Sequence, residues 1–410
     1  MIELTKQQEK VCNNVIDWYN SNLSQYVTVG GYAGTGKTSI IPYLVDYLRR
    51  GRWGRLAFAA FTGKASFVMK TKLREAGVID PDDFCGTLHS LMYVPLMKEV
   101  KIKGVKKQVI SGWRKKEDLD VTAVIVDEAS MVNRELWNDL LSYDVPIIAI
   151  GDHGQLPPVG GKFNLMQSPQ LMLTKVHRQA LDSPIIQLSQ RVRQTGKLVL
   201  GYPKSLHQPV FAMNWRDPRC QNTFKGINFQ QDIICLCGFN STRVELNNMI
   251  REKKKWKMKF PYLGERMICL RNNHNSGVMN GQIGTLTFGM PSGHPGLMNA
   301  TVKMDGIGDD YLTLIYDGCF GQVSYDEVFE MNLRKKYEKA MKDHGCINLD
   351  LFDYGYAITV HKSQGSEWDK VILFDQRNKY QNDDDYRRWL YTAVTRAREK
   401  LFVIYNYNNW

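Results

Sequence analysis

Two rhythms of apolar and polar positions alternate through most of this chain. Short unbroken apolar or β-branched runs are separated by longer stretches in which apolar residues recur at helical spacing. The first rhythm is that of a strand buried on both faces and the second that of an amphipathic helix, so their alternation predicts parallel α/β sheets. The first predicted strand is Tyr26-Val-Thr-Val-Gly, followed by a glycine-rich turn and the helical pattern Thr38–Leu48. Pro42 falls in that helix's first turn, where its missing N–H costs little. Further strands are predicted at Leu56–Phe61, Ala123–Val126 and Pro146–Ile150. A second series, beyond residue 165, comprises Ile233–Cys237, Arg266–Leu270, Ala357–Val360, Lys370–Phe374 and Leu401–Tyr405. Two sheet-building units are expected in succession.

Two stretches break the rhythm. Residues 89–120 are rich in Lys and Arg, and Gly104 separates two β-branched runs, which predicts a small basic hairpin. Residues 287–345 combine Gly and Pro with short alternating runs such as Ala300-Thr-Val-Lys-Met and Tyr311-Leu-Thr-Leu-Ile-Tyr. That pattern predicts a compact β insertion within the second unit.

Length and charge narrow the picture. A chain of 410 residues exceeds one ordinary domain. Its 54 Lys and Arg against 42 Asp and Glu leave 54 − 42 = +12, which favours a polyanionic partner, nucleic acid ahead of a membrane surface. A surface that serves only solubility is the alternative. No apolar run approaches the length of a membrane span, and Met1-Ile-Glu-Leu-Thr-Lys lacks a basic region followed by an apolar core. A soluble, intracellular protein is therefore expected. The eight cysteines contain no CxxC pair, and Cys235 and Cys237 sit in an apolar run, so neither a zinc site nor a structural disulfide is expected.

The chemistry concentrates at strand ends. Gly31-Tyr-Ala-Gly-Thr-Gly-Lys-Thr38 matches G-x-x-x-x-G-K-[ST] at every fixed position, after a predicted strand and opening a predicted helix. Gly31, Gly34 and Gly36 let backbone N–H groups approach phosphate oxygens, and the helix start adds positive potential. Lys37 can reach the β- and γ-phosphates, and the Thr38 hydroxyl can ligate Mg²⁺. Asp127 and Glu128 end the strand Ala123–Val126; Asp127 suits a Mg²⁺ shell, and Glu128 could orient or deprotonate an attacking water. Acids at strand ends also cap helices, but beside a phosphate loop these two indicate nucleoside triphosphate hydrolysis. A third strand end, Gly151-Asp-His-Gly-Gln-Leu-Pro-Pro158, carries Gln155, which could report a γ-phosphate or serve as an ordinary polar loop residue.

Taken in order, these segments resemble superfamily 1 helicases, and the branch containing RecD and phage Dda in particular. Leu4-Thr-Lys-Gln-Gln8 resembles the Q motif, which implies an adenine contact for Gln8. The loop ending in Thr38 and Ser39 resembles motif I. Ala60-Phe-Thr-Gly-Lys-Ala65 resembles motif Ia, Thr87-Leu-His-Ser90 motif Ib, Asp127-Glu-Ala-Ser130 motif II and Gly151–Pro158 motif III. Leu173–Arg178, Tyr356–Ser366 and Leu390–Arg398 resemble motifs IV, V and VI.

The resemblance implies an α/β fold of two recA-like P-loop domains. The first would span 1–88 and 121–165, interrupted by the 89–120 hairpin. The second would span 166–286 and 346–410, interrupted by an SH3-like insertion at 287–345. It further implies ATP and Mg²⁺ as cofactors, with Gln8, Gly31, Gly34, Gly36, Lys37, Thr38 and Ser39 on the nucleotide and Thr38 and Asp127 on the metal. Lys37, Glu128, Gln155, Arg178 and Arg396 would be catalytic, the two arginines reaching the γ-phosphate from the second domain. Phe61, Thr62, Lys64, Thr87, His89, Pro157, His361 and Lys362 would contact nucleic acid, and Gln364 and Gly365 would couple the two sites. Phe61 stands where the family usually has proline, and stacking on a base and closing the strand core remain equally open for it. For His361 a satisfied core position is the alternative.

The activity so implied is ATP-dependent translocation on single-stranded DNA, 5′-to-3′ by analogy with the branch, with duplex unwinding in replication, recombination or repair. The alternative is an ATPase that remodels protein–DNA complexes or serves a larger recombination machine. The hairpin is a candidate strand-separating wedge, with Trp113 or Met97 at the fork, or else a solvated charged hairpin. The implied partners are single-stranded DNA, single-strand/duplex junctions and single-strand-binding or recombination proteins. A monomer in the cytoplasm of a bacterium or phage-infected host is expected.

Overall fold

The structure, a computed structural model, describes residues 4–50, 54–102, 105–158, 163–176, 182–201, 203, 205–229, 232–271, 278, 280–305, 310–324, 331–333 and 349–407. The first unit runs α1 (Lys6–Ser21), β1 (Tyr26–Gly31), α2 (Ile41–Arg49), β2 (Leu56–Ala60), α3 (Gly63–Glu75), β3 (Phe84–Thr87), α4 (Leu88–Met92), β4 (Tyr93–Ile102), β5 (Val105–Lys115), β6 (Ala123–Asp127), α5 (Arg134–Leu141), β7 (Ile147–Gly151) and β8 (Leu171–Leu173). Six of these strands form a parallel sheet in the order β3-β2-β6-β7-β1-β8. Val29, Phe58, Ile125 and Ile148 are fully buried in it, which is why its strands read as unbroken apolar runs. β4 and β5 pair antiparallel from Tyr93↔Lys115 to Ile102↔Val105 as a separate two-stranded ribbon. The side chains of 95–113, Met97 and Trp113 included, lie outside the described residues.

The second unit follows as α6 (Pro184–Thr195), β9 (Val210–Asn214), α7 (Pro218–Gly226), β10 (Ile233–Cys237), α8 (Asn240–Lys253), β11 (Arg266–Cys269), β12 (Ile283–Pro291), β13 (Leu297–Met304), β14 (Asp310–Tyr316), β15 (Leu349–Asp350), β16 (Phe352–Tyr354), β17 (Ala357–Thr359), β18 (Trp368–Phe374), α9 (Asp383–Val394) and β19 (Ala397–Tyr405). A second parallel sheet has the order β17-β10-β18-β19-β9. A third, mainly antiparallel sheet has the order β15-β14-β13-β12-β11-β16.

Three boundaries differ from the sequence reading. Arg266–Leu270 was expected in the parallel series, but β11 pairs antiparallel with β12 and β16, so the β insertion draws on Arg266 through Tyr354 rather than on 287–345. A short apolar run looks the same in either kind of sheet; its partner decides which it joins. The first unit also extends past residue 165, because β8 pairs with β1. Leu173, the start of the stretch resembling motif IV, therefore closes the first sheet. The hairpin itself is narrower than 89–120, since α4 holds residues 88–92 within the first unit's core.

Helix α8 ties the second parallel sheet to the antiparallel one through three polar residues spaced one turn apart. The Arg243 guanidinium is paired with Asp353 and donates to the Gln322 carbonyl. Asn247 Oδ1 accepts from the N–H groups of Tyr356 and Ala357, each at 3.1 Å, and its amide donates to the Ala357 carbonyl at 3.0 Å. Arg251 Nε donates to Glu265 Oε1 at 2.6 Å and its Nη2 to the Met258 carbonyl at 2.7 Å. Asp353 also accepts from the N–H groups of Gly321 and Tyr354, both at 2.8 Å.

Removing one member of such a buried pair strands the other charge. Asp353→Ala is accordingly expected to destabilise the protein by about 3–5 kcal/mol in urea unfolding. A loss below about 1 kcal/mol would mean that Arg243 finds other partners.

Candidate nucleotide and nucleic-acid site

The phosphate loop lies between β1 and α2, at the C-terminal edge of the first sheet, where open α/β sheets bind ligands. Gly34 and Gly36 have φ of 78° and 74°, the left-handed region that L side chains seldom adopt. At Gly31 the demand is for space, since a Cβ would lie 2.7 Å from Thr35 Oγ1 and 2.9 Å from Lys37 Cγ. Gln8 is buried rather than open to a base. Its Oε1 accepts from the Thr5 N–H at 3.0 Å in a capping box at the start of α1. Its amide group lies 3.3 Å from the Gly36 carbonyl, so it braces the loop from behind.

A cleft of about 470 Å³ opens in front of this loop. The first unit lines it with Gly34, Gly36, Lys37, Thr38, Ser39, Asp127, Glu128, Asp152 and Gln155, and the second unit adds Arg396 and Arg398. Lys37 Nζ donates to the Tyr32 carbonyl at 3.1 Å and sits 3.6 Å from Asp152 Oδ2. Asp127 Oδ1 accepts from the Glu128 N–H at 2.9 Å, and Glu128 holds a left-handed backbone with φ of 52°. That conformation is costly for a residue with a Cβ, and it turns the carboxyl sharply off the end of β6. Burial pushes the Glu128 carboxyl up to about 7; neighbouring Asp127 adds to the rise, while Arg396 and Lys37 oppose it. Burial also raises Asp127. Glu128 Oε2, Ser130 Oγ and Gln155 Oε1 are buried without a hydrogen-bond partner. Oxygens left unpaired in this way are the acceptors that a bound water, cation or phosphate-linked group would meet.

Arg396 enters from the turn after α9 and is almost wholly buried. Its Nε donates to the Thr392 carbonyl at 2.9 Å and its Nη1 to the Ser366 carbonyl at 3.0 Å. Arg178 lies outside the described residues.

Sequence reading missed the groups that join the two units here. The Tyr391 hydroxyl donates to Asp152 Oδ2 at 2.8 Å and accepts from the Ala33 N–H, within the phosphate loop, at 2.7 Å. One residue on, Thr392 Oγ1 accepts from the Leu156 N–H at 3.0 Å. Arg388 Nη1 donates to the His153 carbonyl at 2.6 Å. The Arg193 guanidinium lies 3.2 Å from the Tyr32 ring centre, and His153 packs on the same ring at 3.8 Å between centres. Burial lowers His153 to about 4, so its imidazole is neutral at pH 7. Tyr391 stands inside a recognised motif, but nothing in the sequence couples it to Asp152.

The residues expected to meet nucleic acid divide by position. Thr62 caps α3, accepting from the Ala65 N–H at 3.2 Å, and Thr87 caps α4, accepting from the Ser90 N–H at 3.1 Å. His89 stacks on Tyr93 at 4.6 Å, and burial lowers its pKa. Phe61 packs against the first unit's core with part of its ring exposed. Pro157 and His361 are half-buried and Lys362 is exposed, while the Lys64 side chain lies outside the described residues. Gln364 is buried and donates to the Leu156 carbonyl at 2.9 Å. Gly365, at φ 70°, lets Thr62 approach so closely that a Cβ there would lie 2.9 Å from Thr62 Oγ1. The stretches resembling motifs Ia, III and V therefore meet.

A phosphate loop, a buried acidic strand end and a facing arginine, shared between two parallel-sheet units, define a P-loop nucleotide-binding protein. Family models agree: an AAA domain matches residues 19–161 and a UvrD-like helicase C-terminal domain matches residues 354–404. The ATP-dependent RecD2 DNA helicase of Deinococcus radiodurans is 28% identical over 403 residues, covering 94% of this chain and 47% of that protein. The ATP-dependent DNA helicase Dda of Enterobacteria phage T4 is 25% identical over 465 residues, covering 98% of this chain and 99% of the phage protein. This chain thus spans about half of RecD2 and nearly all of Dda. Its fold is similar to that of Pif1 helicase from Bacteroides in complex with ADP-AlF3 and ssDNA, with a TM-score of 0.54 at 19% identity over 99% of this chain and 93% of that one. Over nearly its whole length the chain is thus similar to these two ATP-dependent DNA helicases.

Two substitutions separate the parts of this site. Glu128→Gln is expected to lower ATP turnover by about 10²–10⁴-fold while nucleotide binding, read with a fluorescent ATP analogue, persists. Tyr391→Phe removes the hydroxyl between Ala33 and Asp152, and should lower kcat about tenfold, or ~1.4 kcal/mol of activation free energy, with KM for ATP little changed. A rise in KM at unchanged kcat would place that hydroxyl in nucleotide binding instead.

Proposed function

We propose that this chain is an ATP-driven motor that moves along single-stranded DNA and separates duplexes. The observation that carries the reading is the continuity of the two faces of the joint between the units. Tyr391 and Thr392 link α9 to the phosphate loop and to Leu156, and the Leu156 carbonyl is held by Gln364, next to the Thr62–Gly365 contact. Closing or opening the joint around a nucleotide would move the nucleic-acid side with it. Alternation of grip between the loops of the two units would turn each hydrolysis cycle into a step.

Within the cleft, Lys37 would hold the β- and γ-phosphates, Glu128 would take a proton from the attacking water and Gln155 would position that water. Arg396, with Arg178, would stabilise charge developing on the γ-phosphate. Thr38 and Asp127 would hold Mg²⁺; an all-oxygen donor set at a buried acidic strand end fits that hard cation. When bound, the ion neutralises charge on the phosphate oxygens. Thr62, Thr87, His89, His361 and Lys362 would face the strand, with Phe61 offering its exposed ring edge. Polarity from 5′ to 3′ is proposed by analogy with the branch.

Unwinding of partial duplexes carrying either a 5′ or a 3′ single-stranded tail, with ATP and Mg²⁺, tests the proposal. The 5′-tailed substrate alone is expected to open, and Lys37→Ala should abolish the activity. Opening of only the 3′-tailed substrate would reverse the polarity. Strand-stimulated ATP turnover with neither duplex opened would replace unwinding by remodelling of protein–DNA complexes.

A further inference from the structure

The end of α8 and the loop after it carry Lys253, Lys254, Lys255, Lys257 and Lys259, five cations within seven positions. A run of this kind is ordinarily a solvated surface, and what distinguishes this one is its order. Trp256 and Tyr262 stack nearly flat on each other, 5.4 Å between ring centres at 9°. The Tyr262 hydroxyl accepts from the N–H groups of Lys257 and Met258, each at 3.2 Å. From beneath, the buried Arg251 donates to the Met258 carbonyl at 2.7 Å, and the Tyr354 hydroxyl donates to the Lys259 carbonyl at 2.6 Å. Lys255 takes a left-handed turn with φ of 59°. The backbone of the loop is thus fixed at several points while Lys255, Lys257 and Lys259 are exposed.

Two cations of the run are occupied. Lys253 Nζ donates to the Ile227 carbonyl at 2.7 Å, and Lys254 lies 4.5 Å from the centre of the Trp256 ring. Among the described residues no carboxylate pairs with Lys255, Lys257 or Lys259. Of the two acids beside this loop, Glu265 is buried and taken by Arg251, and exposed Glu252 offsets only part of the charge of the run. None of these residues lines the nucleotide cleft, and none belongs to a motif assigned to the strand track.

We propose that this ordered lysine loop is a second nucleic-acid contact, one that holds the phosphate backbone of duplex DNA while the strand track holds the single strand. The choice of duplex follows from the aromatic pair. Trp256 is taken up by Tyr262 stacked on it and by the Lys254 ammonium over its ring, so the loop presents charge rather than a free indole on which an unstacked base could lie. Exposed ammonium groups on an ordered backbone, without a carboxylate partner among the described residues, suit backbone phosphates, which duplex DNA presents at one charge per about 1.7 Å of axis. This inference rests on the motor reading above and assigns that motor a grip on the duplex part of a junction.

Salt titration of binding separates the two. The probes are a fluorescent oligo-dT strand, a blunt duplex and a 5′-tailed duplex of the same sequence, each measured by anisotropy with the full chain. For Lys255→Gln/Lys257→Gln/Lys259→Gln, the slope of log affinity against log salt on the blunt duplex and on the tailed duplex is expected to shrink by about two. Oligo-dT affinity and oligo-dT-stimulated ATP turnover should stay within twofold of the parent. Arginine at the same three positions should restore the slope, since charge rather than shape is invoked. Unchanged slopes on every probe would reduce the loop to a solvated surface, and an equal loss on oligo-dT would move the contact to the single strand. If the parent's ATP turnover does not respond to oligo-dT, the motor reading itself fails, independently of the loop.

Discussion

The arrangement of the two parallel-sheet units turns on one buried carboxylate. Asp152, at the end of β7, accepts from the Gly154 N–H at 2.9 Å, receives the Tyr391 hydroxyl at 2.8 Å and faces the Lys37 ammonium at 3.6 Å. A carboxylate with almost no solvent contact is tolerable only where donors surround it, and here the donors come from both units. Lys37 is therefore not a loose arm of the phosphate loop. It is already committed to Asp152 and the Tyr32 carbonyl, and a nucleotide must compete for it. Phosphate arriving at the loop would draw that ammonium away and leave Asp152 to Tyr391 and Gln155. In this way occupancy of the first unit can be felt at α9 of the second without any contact between the ligand and that helix.

Legibility in the sequence followed the range of the interactions. The phosphate loop could be read directly, because its chemistry demands particular residues at fixed local spacing, and the glycines at 34 and 36 carry the positive φ that such a loop requires. Asp127 and Glu128 could be read because an apolar strand delivers them to a sheet edge. The partner of Asp152 could not: Tyr391 lies 239 positions away, and no pattern of spacing spans that distance. The same limit explains β11. Arg266–Cys269 announces itself as a buried strand, but the choice between a parallel and an antiparallel neighbour is made by residues 283–291 and 352–354. Gln8 shows a third case, a residue whose type suits a base but whose side chain folding has used for a helix cap and for bracing a loop.

Polar residues at the centre of the second unit act as spacers between two kinds of sheet. An apolar α8 could pack on either the parallel or the antiparallel sheet, but it would not fix one against the other. Arg243 and Arg251 have directional partners on the antiparallel side, at Asp353 and Glu265, and Asn247 has its own at the start of β17 in the parallel sheet, so the register of the junction is set by geometry rather than by burial alone. Asn247 is the most constrained, since it satisfies backbone groups at Tyr356 and Ala357, where β17 begins.

That placement restricts where the molecule can bend. β17 leads straight into the Val360–Ser363 turn and then to Gln364 and Gly365, the second unit's side of the joint. Because Asn247 pins the start of β17 to α8, and α8 is pinned to the β insertion, the insertion and the joint-facing turn belong to one rigid piece. Changes at the nucleotide cleft cannot be absorbed inside the second unit without breaking buried hydrogen bonds, each worth about 0.5–1.5 kcal/mol net. The chain leaving β8 is held to α1 in the same way: Gln7 Oε1 accepts from the Lys175 N–H at 2.9 Å and its amide donates to Thr174 Oγ1 at 2.8 Å, so the first unit keeps its own exit segment as firmly as the second keeps its joint-facing turn.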